Sequence, residues 1–164
     1  MCKAGGFRLT KFHSNEGEIS CRLVTSKSRV APMKRPTIPR LELTAAVVSV
    51  KVAMVLRREL DLPISGEFFW TDSQVVLSYL SNESKRFHLY VANRVQFIHD
   101  QTSIEQWKFV PTKSNPADDV SRGLSLSTTS KNDRWLRGPE FYIKLNHNGL
   151  FSLMFYPSVI RTMK

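Results

Sequence analysis

From Pro39 to about Leu60 the apolar residues Ala45, Ala46, Val48, Val52, Ala53, Leu56 and Leu60 recur at helical spacing. A stripe of that length constrains the chain more than any other feature, because it needs an apolar partner layer to cover it. Pro39 suits the first turn of such a helix, and Asp61-Leu62-Pro63 stops it. The flanking segments say what the partner layer is. Gly5–Phe12 and Glu18–Thr25 are rich in β-formers, and Ser14-Asn15-Glu16-Gly17 between them reads as a hairpin loop. The basic, proline-punctuated stretch from Ser26 to Pro39 reads as a loop leading into the helix. Beyond it, Gly66–Asp72 reads as a buried strand that stops at an acid, Ser73–Leu80 as a short helix and Phe87–Gln101 as a longer one. Gln106–Val110 alternates as a strand does, and Asn115–Asp119 opens a last short helix stopped by Gly123. The order β-β-α-β-α-α-β-α gives an α/β domain with a mixed sheet flanked by helices.

After Gly123 the periodicity fades. Ser125–Asn132 is rich in Ser and Thr and reads as a linker, so the expected division is a domain over 1–124 and a linker with a C-terminal extension over 125–164. No run of eighteen apolar residues occurs, so no membrane partner is expected. Cys2 and Cys21 form no CxxC pair and read as free thiols. The net charge of +10 is unevenly spread: residues 1–40 carry nine Lys/Arg against two Asp/Glu, residues 41–124 nine against ten, and residues 125–164 six against two. A nearly neutral middle that holds most of the acids thus lies between two basic flanks. That is the footprint of a chain that meets a polyanion beside an acidic site, or else of solvated basic faces.

Three acids stand where element ends could gather them. Glu42 lies in the first turn of the long helix, Asp72 ends the Phe68-Phe69-Trp70 strand, and Asp118 lies in the first turn of the last helix. Carboxylates converging on one point suit Mg²⁺, a hard cation that takes oxygen ligands and is shared with substrate phosphates. Each acid also has a structural use, Glu42 and Asp118 at a helix dipole and Asp72 as a cap, and spacing alone does not separate these readings.

The surrounding words are more specific. Ser26-Lys27-Ser28-Arg29-Val30-Ala31-Pro32, Pro39-Arg40-Leu41-Glu42-Leu43, Trp70-Thr71-Asp72-Ser73, Asn115-Pro116-Ala117-Asp118 and Ser121-Arg122-Gly123 stand in one order. Together they resemble the ribonuclease H domain of BEL/Pao-type retrotransposon polyproteins, over about residues 4–141 and ending with Trp135–Phe141. The resemblance implies a ribonuclease H-like mixed sheet and hydrolysis of the RNA strand of RNA–DNA hybrids. It implies two Mg²⁺ (or Mn²⁺) ions held by four carboxylates, of which Glu42, Asp72 and Asp118 would be the second, third and fourth. Its expected nucleic-acid contacts are Lys27, Arg29, Lys34, Arg35, Arg40, Asn93, Arg94 and Lys113. The implied partners are an RNA–DNA hybrid and the reverse transcriptase portion of a parent polyprotein. The implied location is the cytoplasm, in a retroelement particle, or the nucleus.

By the same resemblance the first acid belongs on the central strand of the sheet, a few residues upstream of Met1, and no Asp or Glu precedes Glu16. The expected sheet therefore lacks its central strand, unless the hairpin pairs directly with the Phe68 strand or the apolar segment Leu150–Tyr156 fills the gap. Activity is accordingly expected to be impaired, and the alternative is a non-catalytic, nucleic-acid-binding remnant. The region sometimes carries a Pao peptidase label, but the Asp-Ser/Thr-Gly triplet of an aspartic peptidase does not occur in this chain.

Overall fold

The structure, a computed structural model, describes residues 2–13, 19–30, 36–84, 86–115 and 151–161. Strands β1 (Cys2–His13) and β2 (Ile19–Val30) form an antiparallel hairpin. Helix α1 (Ile38–Glu59) follows, then strand β3 (Ile64–Thr71), helices α2 (Gln74–Leu80) and α3 (Leu89–Gln101), strand β4 (Trp107–Phe109) and finally strand β5 (Phe151–Arg161). The five strands lie in the order β2-β1-β5-β3-β4. β3, β4 and β5 run parallel to one another, and β5 pairs antiparallel with β1. This is the mixed α/β, ribonuclease H-like sheet expected from the sequence.

The centre of that sheet is filled by the C-terminal segment. β5 joins the hairpin to β3, with Phe7 opposite Tyr156 on one side and Phe69 opposite Phe155 on the other. Of the two repairs open to the sequence, recruitment of the C-terminal apolar segment is the one adopted. Residues 151–161, which a boundary at 124 leaves outside the domain, thus supply its middle strand. Leu153, Met154, Phe155 and Tyr156 are all buried. A strand covered on both faces has no polar side to alternate with, which is why this segment carries no readable period.

Residues 26–30, expected as loop, belong to β2. Their backbone pairs with Lys3–Phe7 of β1, and the first proline, Pro32, lies beyond the last pair, Lys3 with Val30. Ladder hydrogen bonds here outweigh the weak local signal of a Ser/Lys/Arg sequence. The expected hairpin loop Ser14–Gly17, the last helix with Asp118, the 125–132 linker and the Trp135–Phe141 cluster lie outside the described residues.

α1 packs on β1 and β5 and against α3. Leu43, Ala46, Val50 and Ala53 are fully buried, so the apolar stripe faces the sheet as its spacing requires. Opposite it, Phe69 stacks between Trp107 on β4 (ring centroids 4.7 Å apart) and Phe155 on β5 (4.8 Å). This aromatic ladder ties the three parallel strands together across the core, each offset stack contributing about 0.5–1.5 kcal/mol beyond area burial.

Candidate functional site

At the corner formed by the C-terminal end of β3, Glu42 of α1 reaches the residue that follows Asp72. β3 stops at Thr71, Asp72 follows, and Ser73 is the N-cap of α2. The Ser73 hydroxyl accepts a hydrogen bond from the Val76 amide at 3.1 Å, and its own proton goes to Glu42 Oε2 at 2.7 Å. The Ser73 amide in turn donates to Thr71 Oγ1 at 3.1 Å. One buried hydroxyl therefore caps α2 and fixes a glutamate from α1 beside the residue that follows Asp72. The capping use considered for Asp72 belongs to Ser73 instead. The first-turn dipole use considered for Glu42 also falls away, because α1 starts at Ile38 and its first turn contains no acid.

Both Glu42 and Asp72 are half-buried. Ser73 is a neutral donor, so no basic side chain balances Glu42 through this bond. In kind, carboxylates suit a hard divalent cation. In number they are only part of the four-carboxylate set that the resemblance implies. Among the described residues no three Asp, Glu, His or Cys side chains gather closely enough to hold a metal ion, and Asp118 lies outside those residues. The strand that reaches this corner between β1 and β3 brings no acid, since Phe151–Arg161 contains neither Asp nor Glu.

The expected basic contacts are distributed over three elements. Lys27 and Arg29 occupy alternate positions of β2, opposite Gly6 and Ala4 of β1. Lys34 and Arg35 lie outside the described residues. Lys113 is exposed in the short 3₁₀ turn Thr112–Ser114. Asn93 is exposed and Arg94 half-buried on α3, and Arg40 is exposed near the start of α1.

Among the described residues Arg40 and Arg94 converge, and they do so on a residue that sequence reasoning missed. The Tyr90 ring centroid lies 3.4 Å from the Arg94 guanidinium carbon and 5.0 Å from that of Arg40. The Tyr90 hydroxyl is 2.9 Å from Thr44 Oγ1. Thr44 Oγ1 donates to the Arg40 carbonyl at 2.7 Å, which leaves the tyrosine proton to complete the pair. Arg94 Nη1 donates to the Tyr90 carbonyl at 2.9 Å. The four-residue step from Tyr90 to Arg94 on one helix was a usable signal; the approach of Arg40 and Thr44 from another helix left none.

Residues 7–73 match the family model described as Pao retrotransposon-like RNaseH-like domain. The match takes in Glu42 and Asp72 and ends at Ser73, before Asp118. No curated protein and no solved structure matches the chain. Among the described residues no helix is long and apolar enough to cross a membrane.

Proposed function

We propose, from the premise that this chain carries a Pao-type retrotransposon ribonuclease H-like domain, that it acts on RNA–DNA hybrids and cuts their RNA strand at the Glu42–Asp72 corner, with impaired activity. The observation that carries this reading is the Ser73 bridge, which brings Glu42 of α1 to the end of β3 beside Asp72. Glu42, Asp72 and Asp118 would hold Mg²⁺ or Mn²⁺ there, and bound ions would supply an activated water and charge for the leaving oxygen. Ser73 holds the Glu42 carboxylate in place, and its burial within the capped turn limits the rotamers that Glu42 can reach. Impairment follows from the acid-free middle strand: one fewer carboxylate means weaker binding of an ion that already prefers its waters.

The test is incubation of the purified chain with a labelled hybrid and Mg²⁺ or Mn²⁺. Slow cleavage is expected, and it should disappear in Glu42→Gln and in Asp72→Asn. Cleavage that survives both substitutions would place the chemistry elsewhere. Continuing the parallel register from Phe69 and Phe155 brings Ser158 level with Asp72. Ser158→Asp should therefore raise the rate if the missing carboxylate is the cause of impairment.

A second reading rests on a different observation, the two guanidiniums gathered on Tyr90. On that reading the chain binds nucleic acid without cutting it, and the same assay returns binding with intact RNA.

A further inference from the structure

We infer that Pro157 is a positioning residue for the Glu42–Asp72 corner. It ends the ladder between β5 and β3 short of Asp72, so that the two carboxylates take their places from α1 and α2 instead of from the middle strand. This deepens the reading proposed above and rests on it for the role of the two acids.

A proline is out of place at the centre of a sheet, because it has no amide to give to a ladder. Pro157 is nevertheless buried in β5, which has β1 on one side and β3 on the other. The ladder with β1 runs through it without a shift: Tyr156 pairs with Phe7, Pro157 with Gly6 and Ser158 with Gly5. Antiparallel pairs alternate between those that exchange both backbone bonds and those that exchange none. Only the second kind admits a proline, so Gly6 and Pro157 form a pair of that kind. The two strands approach most closely at such a pair, and a glycine there leaves room for the pyrrolidine ring.

The side of β5 on which the missing amide falls is then fixed. Successive residues of a strand turn their backbone groups to opposite neighbours, so those of Pro157 face β3. Counting on from Phe69 with Phe155 brings Pro157 level with Thr71. The amide it lacks is one that a parallel ladder would send across to β3 at that level. The registered pairs stop where this requires, at Phe69 with Phe155, although β3 runs on to Thr71 and β5 to Arg161.

On its other side the same end of β3 stays paired. Trp70 lies opposite Lys108 and Thr71 opposite Phe109 on β4, and the Val110 amide donates to the Thr71 carbonyl at 3.0 Å. Past Thr71 the chain is held from the helices: Ser73 caps α2 and donates to Glu42 of α1. The Asp72 turn is thus referenced to the helix that carries Glu42. Carboxylates that share a cation need a fixed relative placement. An amide at position 157 would draw the end of β3 onto β5 and away from that reference.

Pro157→Ala supplies the missing amide. It is compared with Ser73→Ala and with the double variant, all in the full chain and all checked by melting. Three quantities are measured: hydrogen exchange at residue 157, chemical unfolding, and Mn²⁺ binding by calorimetry. The new amide is expected to exchange slowly, as a bonded ladder amide does. Mn²⁺ affinity should fall roughly 10-fold, the usual effect of disturbing a group that orients a metal ligand. Ser73→Ala already cuts the link to Glu42, so the double variant should bind Mn²⁺ no more weakly than Ser73→Ala alone, and the two effects on unfolding should be coupled. A fast-exchanging amide at 157, an unchanged Mn²⁺ affinity, or losses that simply add would each overturn the inference. Pro157→Val, a stronger strand former, repeats the comparison if the alanine variant does not fold. A parent chain that binds no Mn²⁺ sinks the cleavage reading instead. Exchange at 157 and the coupling of positions 73 and 157 in unfolding then decide the inference by themselves.

Discussion

Two glutamates span the gap between α1 and β3, and they are treated in opposite ways. Glu67, on β3, is 8% exposed and meets Arg57 from the last turn of α1 through two parallel hydrogen bonds, Nε to Oε1 at 3.0 Å and Nη2 to Oε2. Its own carbonyl accepts from Gln106 Nε2 at 3.1 Å. Hydrogen bonding to Glu67 raises the Arg57 guanidinium further above its ordinary value, against the burial that lowers it. Glu42, near the other end of the same helix, is half-buried and is held by a serine hydroxyl. The difference separates a structural acid from a candidate functional one. A carboxylate met by a guanidinium is neutralised and locked, whereas one met by a neutral donor is positioned while its charge stays available to a cation. In the sequence Glu42 stands out by its position and neighbouring words, but nothing there marks Glu67 as the acid held by a guanidinium.

The contrast depends on β3 being held against the middle strand, so the largest expected effect comes from loosening that seam. Phe155→Ala removes a fully buried ring stacked on Phe69 and should cost about 3–5 kcal/mol by chemical denaturation. A loss below about 1 kcal/mol would mean that β5 does not sit between β1 and β3. The next effect is at the structural glutamate. Arg57→Ala leaves Glu67 buried without its cation, and about 2 kcal/mol is expected. That is less than the 3–5 kcal/mol of a fully buried pair, because the Arg57 side chain is 46% exposed. The smallest effects belong to the candidate site. Ser73→Ala removes the cap of α2 and should cost about 1 kcal/mol. Glu42→Gln keeps an oxygen for Ser73 to donate to and should move stability by less than about 0.5 kcal/mol. If Glu42→Gln proves as destabilising as Arg57→Ala, Glu42 is a second structural acid and the comparison collapses.

Much of this molecule was legible because its signals are local. The α1 stripe, the Gly66–Asp72 strand and the α2 and α3 helices each declare themselves through spacing within one segment, and each forms within a few residues of where the spacing places it. The pairing of Glu42 with the Asp72 corner was legible only through the resemblance. Nothing in the chain between Glu42 and Ser73 says that the serine will point its hydroxyl at α1. β2 ran on to Val30 because cross-strand bonds to β1 decide where a strand ends, and those bonds are invisible from Ser26–Val30 alone.

Local patterns along the chain carry the inventory: a long amphipathic helix, a hairpin, an acid at a strand end, and a basic excess with its acids gathered in the middle. Tertiary structure decided the assignments. It placed Phe151–Arg161 at the centre of the sheet, because a strand whose consecutive residues Leu153–Tyr156 are all buried satisfies its backbone between two partner strands. It separated Glu67 from Glu42, because charge compensation depends on which side chain arrives from another element. It also drew Arg40 and Arg94 onto Tyr90, because two helices packed side by side bring together residues that lie far apart along the chain.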